Sequence, residues 1–520
     1  MKRFSIFASL FVLLIGIAVF FTQCKNDIAF NDDSLSYLPA DVSNITAFRP
    51  AQLMQKADFE SIKTQTYYKD MLEEAKGENP AIARLLSDPY QSGVDLEQPV
   101  YIAFSDLPGA SNNRRNYVLM SLKDAQQFEQ MIREVHDGEI ISNEQYKMIQ
   151  HEEAAVIAWN DQVAMASSGH PYVDIDIAER FGVKGKSNLA ENSNLRAALS
   201  KDFDLMTWMH TNELANDDFL RSNVSAIGLD PDVLKDNYLQ TMVQFDEGEL
   251  SSTTRYDIQS DLRRELNLFF KDKVKTDFHP YVPAKDLGIA FSVALDFKGI
   301  KQVLAERPQA MGFLAAGLKE YDIKTQDLFD VLTGDLLLAA YPQGDQPSGL
   351  FIATIAQPEL MQSLLEIAIE QGALNKIAEH RYAIQPNLSQ QLSESFGGPN
   401  NETAQLLIHN NLLFISANES LLQKIQQGPL PEAEQLTKTQ YQLLSDQIFG
   451  ALFHTQTLPF PEENGPLALI DHIETRTTRK QTNVRVRLKD GQSNSLKQFI
   501  ESMVQQAQSR PETVEEIIGE

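Results

Sequence analysis

The chain has 520 residues, of which 42% are hydrophobic and 22% charged, and it carries a net charge of −27. That length exceeds what one hydrophobic core usually serves, so two domains are expected. So acidic a surface repels phosphate backbones and sets nucleic acid aside as a partner, and a lone cysteine, Cys24, excludes an internal disulfide or a cysteine-based metal cluster.

Residues 1–24 read as an export signal. Lys2 and Arg3 supply a positive start, residues 4–21 an apolar run, and Cys24 follows Phe21-Thr22-Gln23. The segment resembles a bacterial lipoprotein signal, which implies diacylation of Cys24 and cleavage before it. Gln23 and Phe21 depart from the usual small residue and Leu, and an uncleaved anchor helix is the alternative, because 18 apolar residues approach spanning length. Residues 25–36 read as a polar tether with Asp27, Asp32 and Asp33. Acid-rich residues there resemble a sorting signal for surface lipoproteins, and Asp33-Ser34-Leu35 resembles a short O-glycosylation site at Ser34.

From Tyr37 the chain predicts an α+β fold in two related domains, 37–275 and 276–520, each a mainly antiparallel sheet with helices packed on it. In the first, strands are expected over 45–48, 100–104 and 117–122, then a helix over 124–135 and a hairpin turning at Asn160-Asp161. A helix over 195–200 and strands over 206–210, 238–245 and 253–258 follow. A helix over 262–273 leads to a linker, 276–280. The second domain offers a strand after Leu287, a helix over 358–371, a hairpin at Asn410-Asn411, a closing hairpin over 467–488 and an amphipathic helix over 494–509.

The second domain reads as a restart of the first. Tyr37-Leu38-Pro39-Ala40 returns as Tyr281-Val282-Pro283-Ala284, and Asp202 and His210 return as Asp446 and His454, each pair 244 positions apart. A repeat of that length implies duplicated domains, since solenoid units span only ~20–50 residues. The lipoprotein start, the two-copy plan and the opening Tyr37-Leu38-Pro39-Ala40-Asp41-Val42 resemble an uncharacterised family of Gram-negative envelope lipoproteins of about 500 residues. The resemblance implies a location and a fold but no reaction.

The motifs carry little chemistry. Gly185-Lys186-Ser187 lacks the first glycine of a P-loop, whose place Arg180 takes. His151-Glu152-Glu153 lacks the spacing that puts two imidazoles on one metal, and Asp174-Ile175-Asp176 lacks the remaining oxygens of a calcium loop. No metal or other cofactor is expected. The catalytic candidates are His210 and His454, equivalent under the repeat; a satisfied core histidine explains them equally. The leading expectation is a non-enzymatic binding or scaffold protein, lipid-anchored to the periplasmic or surface face of the outer membrane, with another protein as partner. The alternatives are an envelope hydrolase using the duplicated histidine and a glycan-binding accessory lipoprotein, for which Trp159 and Trp208 are the only tryptophans.

Overall fold

The computed structural model describes residues 33–106, 114–136, 138–151, 155–169, 173–182, 188–212, 215, 217–226, 229–306, 324–342, 348–385, 403–457 and 465–509. Cys24, the signal segment, Glu152, Glu153 and residues 183–187 lie outside them. The described chain is a mixture of helices and antiparallel sheet, an α+β fold. It divides into two compact units, the first made of residues 1–213, 237–254 and 490–520, the second of 214–236 and 255–489.

In the first unit the strands are β1 (Asn44–Phe48), β2 (Val100–Asp106), β3 (Arg114–Ser121), β4 (Ile140–Ser142), β5 (Lys147–His151), β6 (Ala155–Trp159), β7 (Val163–Ser168), β8 (Leu205–His210) and β9 (Tyr238–Asp246). They pair antiparallel in the order β4-β5-β6-β7-β3-β2-β1-β8-β9. Strand β10 (Glu249–Asp257) follows β9. Two cores form, one around Phe128, Trp159 and Ile149, the other around Tyr101, Tyr117 and Trp208. Asp124 caps the helix Ala125–Val135, accepting from the Gln126 and Gln127 amides at 2.9 Å, as a side-chain oxygen at a helix start should.

In the second unit the strands are β11 (Ile289–Ala294), β12 (Leu332–Tyr341), β13 (Ser348–Ile355), β14 (Leu374–Ala378), β15 (Arg381–Ile384), β16 (Gln405–His409), β17 (Leu412–Ser416), β18 (Phe449–His454), β19 (Ile470–Thr477) and β20 (Gln481–Leu488). Their antiparallel order is β14-β15-β16-β17-β13-β12-β11-β18-β19-β20. One core gathers Phe278, Leu337, Ile352 and Phe414, the other Met361, Tyr382 and Leu406.

Four expectations are corrected. The contiguous division at 275/276 fails, because the terminal helix Ser495–Ser509 inserts Leu496 and Ile500 into the first unit's core. The linker 276–280 is core: Phe278 is buried, and Thr276 gives its amide and hydroxyl to Asp335 at 2.9 and 2.8 Å. The tether ends before position 36, since the helical turn Asp33–Tyr37 buries Ser34 and Leu35. Burial takes the Ser34 hydroxyl out of an enzyme's reach in the folded protein, against its reading as a glycosylation site. The two hairpins also turn differently. Asn410 and Asn411 adopt positive φ of 51° and 58°, as a two-residue turn demands. The other loop spans 160–162, where the Asn160 side chain accepts from the Gln162 and Val163 amides at 2.9 Å, a local substitute for a backbone turn.

Candidate functional site

His210 and His454 each end a strand beside the sheet centre. The His210 amide donates to the Ser43 carbonyl and the His454 amide to that of Gly288, both at 2.8 Å. The cross-strand neighbour then decides what each ring meets. For His210 it is Tyr238, ring centroids 4.8 Å apart. For His454 it is His472, at 5.7 Å.

The second histidine has the richer surroundings. Thr437 and Gln440 form a capping box on the helix Lys438–Leu444, which leaves the Gln440 amide nitrogen 3.3 Å from His454 Nε2. His472 holds Asp471 Oδ2 at 2.7 Å from Nδ1 and Glu474 Oε1 at 3.3 Å from Nε2. The Glu474 hydrogen bond, reinforced by Asp471, lifts His472 above the usual imidazole range, while burial and the His472 charge hold His454 below it. The hydrogen bond with His472 in turn holds Glu474 below the usual carboxylate range. The result is an imidazolium clamped by two carboxylates next to a neutral imidazole. The adjacent Thr455 hydroxyl points at the Ile470 and Asp471 carbonyls. Among the described residues no group of three or more His, Cys, Asp or Glu is placed to hold a metal ion. Trp159 and Trp208 are 1% and 2% exposed, so neither offers a stacking platform to a glycan.

The larger feature is one that strand patterning did not single out. On β11, Ala290, Ser292 and Ala294 are sealed, whereas Ile289, Phe291 and Val293 are only half-buried. Adjacent positions on a strand point to opposite faces, so the bulky side chains occupy the more open face. Cross-strand pairing extends this face as three rows. One runs Ala340, Ile289, Phe453, Ile473, Val486; the next runs Leu338, Phe291, Ala451, Thr475, Val484; the third runs Leu336, Val293, Phe449, Thr477, Thr482. All but Ala451 stay half-buried. None of these fifteen positions is charged, in a chain that is 22% charged.

The rows change character toward β19 and β20, where hydroxyls gather. Thr477 Oγ1 lies 2.8 Å from Thr482 Oγ1, and the Tyr256 hydroxyl also bonds Thr482. The opposite face is closed because its residues are small. Gly450 lets the helix Lys438–Leu444 press its backbone onto β18, and the Ser292 hydroxyl donates to the Leu444 carbonyl. Alternation between large and small apolar residues on β11 was the available signal; it reads as a strand without revealing which face is sealed.

A family described as a domain of unknown function (DUF4836) matches residues 36–343. Three crystal forms of TP0453, forms III, I and IV, are similar in structure, each with a TM-score of 0.27. They share 10%, 10% and 11% identity, cover 48%, 46% and 44% of this chain, and are themselves covered over 90%, 85% and 81%. No curated protein matches the chain.

Proposed function

The chain belongs to the DUF4836 family, and from that premise we propose that it is a lipid-anchored binding protein of a Gram-negative envelope, built from two copies of one α+β domain. The observation that carries the binding role is the uncharged, half-open apolar face of the second unit. Contiguous apolar surface left open on a folded protein marks a place where something binds.

The duplication rests on matched strand orders and matched hydrogen bonds. The order β4-β5-β6-β7-β3-β2-β1-β8-β9 of the first unit corresponds strand for strand to β14-β15-β16-β17-β13-β12-β11-β18-β19 of the second. Asn160 donates to the Tyr37 hydroxyl at 2.9 Å, and Asn410 to that of Tyr281 at 3.0 Å. The buried Thr211 hydroxyl meets the Asn237 carbonyl where that of Thr455 meets the Ile470 carbonyl. The anchor rests on Lys2, Arg3, the apolar run 4–21 and Cys24. Acyl chains hold a protein to a bilayer by burying methylenes at ~0.8 kcal/mol each, and the outer membrane is the location this start implies.

Two measurements test the reading. Cells fed radiolabelled palmitate should label the chain, and Cys24→Ser should abolish the label. The full chain should enhance the fluorescence of anilinonaphthalene sulfonate, and Phe291→Gln with Leu338→Gln should remove most of that enhancement. An unchanged signal in this double variant refutes an accessible binding face. A second reading, an envelope hydrolase, draws on the His454–His472 contact and its carboxylates. It requires turnover of an ester or amide that His454→Asn abolishes in a folded protein.

A further inference from the structure

We infer that the occupant of this face is a single-chain amphiphile with an uncharged polar head, such as a monoacylglycerol. The inference rests on the binding reading above and names the chemistry of its ligand. Three observations carry it.

The first is charge. A protein interface of ordinary composition mixes apolar area with a polar rim and charged partners. Fifteen positions without one ionised group offer nothing to pair with a partner's Lys, Arg, Asp or Glu. The second is shape. The rows cross five strands, from β12 through β11, β18 and β19 to β20, so four inter-strand steps of ~4.8 Å give a strip of roughly 19 Å. One leaflet of a bilayer's hydrocarbon core is about 15 Å deep, so a single extended acyl chain spans the strip. Each side chain along it keeps only part of its surface open, which suits a thin chain lying along the rows better than a broad protein surface. The third is polarity. The apolar rows end in the Thr475, Thr477, Thr482 and Tyr256 hydroxyls. Hydroxyls donate to ester carbonyls and accept from glycerol hydroxyls, but they do not neutralise a phosphate or carboxylate. The ligand therefore lies with its tail toward β12 and its head at β19 and β20.

The test uses the full chain, extracted, stripped of lipid and held in an amphipathic polymer. Radiolabelled 1-palmitoylglycerol and radiolabelled palmitate are titrated separately below their aggregation thresholds. Saturable binding of 1-palmitoylglycerol at one per chain is expected, weakened tenfold or more by Phe291→Gln with Leu338→Gln. Thr477→Val with Thr482→Val should weaken it about fivefold, the worth of one lost neutral hydrogen bond, and should leave palmitate binding unchanged. Circular dichroism confirms that each variant is folded. Palmitate binding more tightly than the glyceride overturns the uncharged head. If neither probe binds while the naphthalene sulfonate signal still depends on Phe291 and Leu338, the amphiphile is wrong and the open face stands. A photocrosslinker at position 338 that captures a single envelope protein stoichiometrically, and no lipid, overturns the amphiphile in favour of a protein partner.

Discussion

Removing the Asp335 carboxylate should destabilise the second unit more than any surface change. The Asp335 side chain is 4% exposed and pairs with Lys271. It also accepts from the Lys275 and Thr276 amides at 3.0 and 2.9 Å and from the Thr276 hydroxyl at 2.8 Å. Thr354 extends the set by donating to Thr276 Oγ1 at 2.7 Å. Asp335→Ala strands one ammonium and three other donors in a place water barely reaches. Breaking a buried pair by removing one partner costs about 3–5 kcal/mol, and each abandoned buried donor adds to it. For a unit of this size each kcal/mol moves the midpoint by about 2–4 °C, so a fall of roughly 6–15 °C is expected. Differential scanning calorimetry reads it, with hydrogen exchange at the Lys275 and Thr276 amides as the local probe. Asp335→Leu combined with Lys271→Met should recover part of the loss, because no charge is then left buried without its partner. A drop below about 1 kcal/mol in Asp335→Ala would mean that water reaches the site and the carboxylate holds nothing in place.

Two further outcomes follow from the geometry. His472 is raised, so its contribution is fully present below the unfolded imidazole value of 6.5 and is lost as pH climbs through its folded value. His454 is lowered, so the folded state resists its protonation and stability falls as pH drops below 6.5. Thermal midpoints across pH 5–8.5 should peak near 6.5; His472→Asn should flatten the alkaline side and His454→Asn the acid side, and an unaltered profile in both refutes the clamp. Tyr37→Phe and Tyr281→Phe each delete a hydroxyl that accepts from an asparagine. Each should cost about 0.5–1.5 kcal/mol by chemical denaturation, and unequal effects beyond that range would count against equivalent roles in the two units.

Much of the secondary structure was legible because it is local. Alternation in Ile45-Thr46-Ala47-Phe48 and in residues 238–245 needs no distant partner to specify a strand, and Asp124 or Asn410 acts within its own few residues. The Tyr37 and Tyr281 openings were legible too, since both tyrosines take the same hydrogen bond from an asparagine more than a hundred residues away.

What the sequence by itself determined is the antiparallel α+β plan, its hairpins and the 244-residue spacing, all carried by residue periodicity and turn chemistry. Tertiary structure alone decided which face of a strand is sealed. On β11 the small residues lie inward because Gly450 and Ser292 let a helix approach closely, and the large ones remain half-open. It also decided the unit boundaries and the histidine cluster. The C-terminal helix closes the first unit's core from some 450 residues away, and His472 meets His454 only through the β18–β19 register. Contacts of that sequence separation leave no periodic trace, because they are set by which surfaces remain to be buried once the strands have paired.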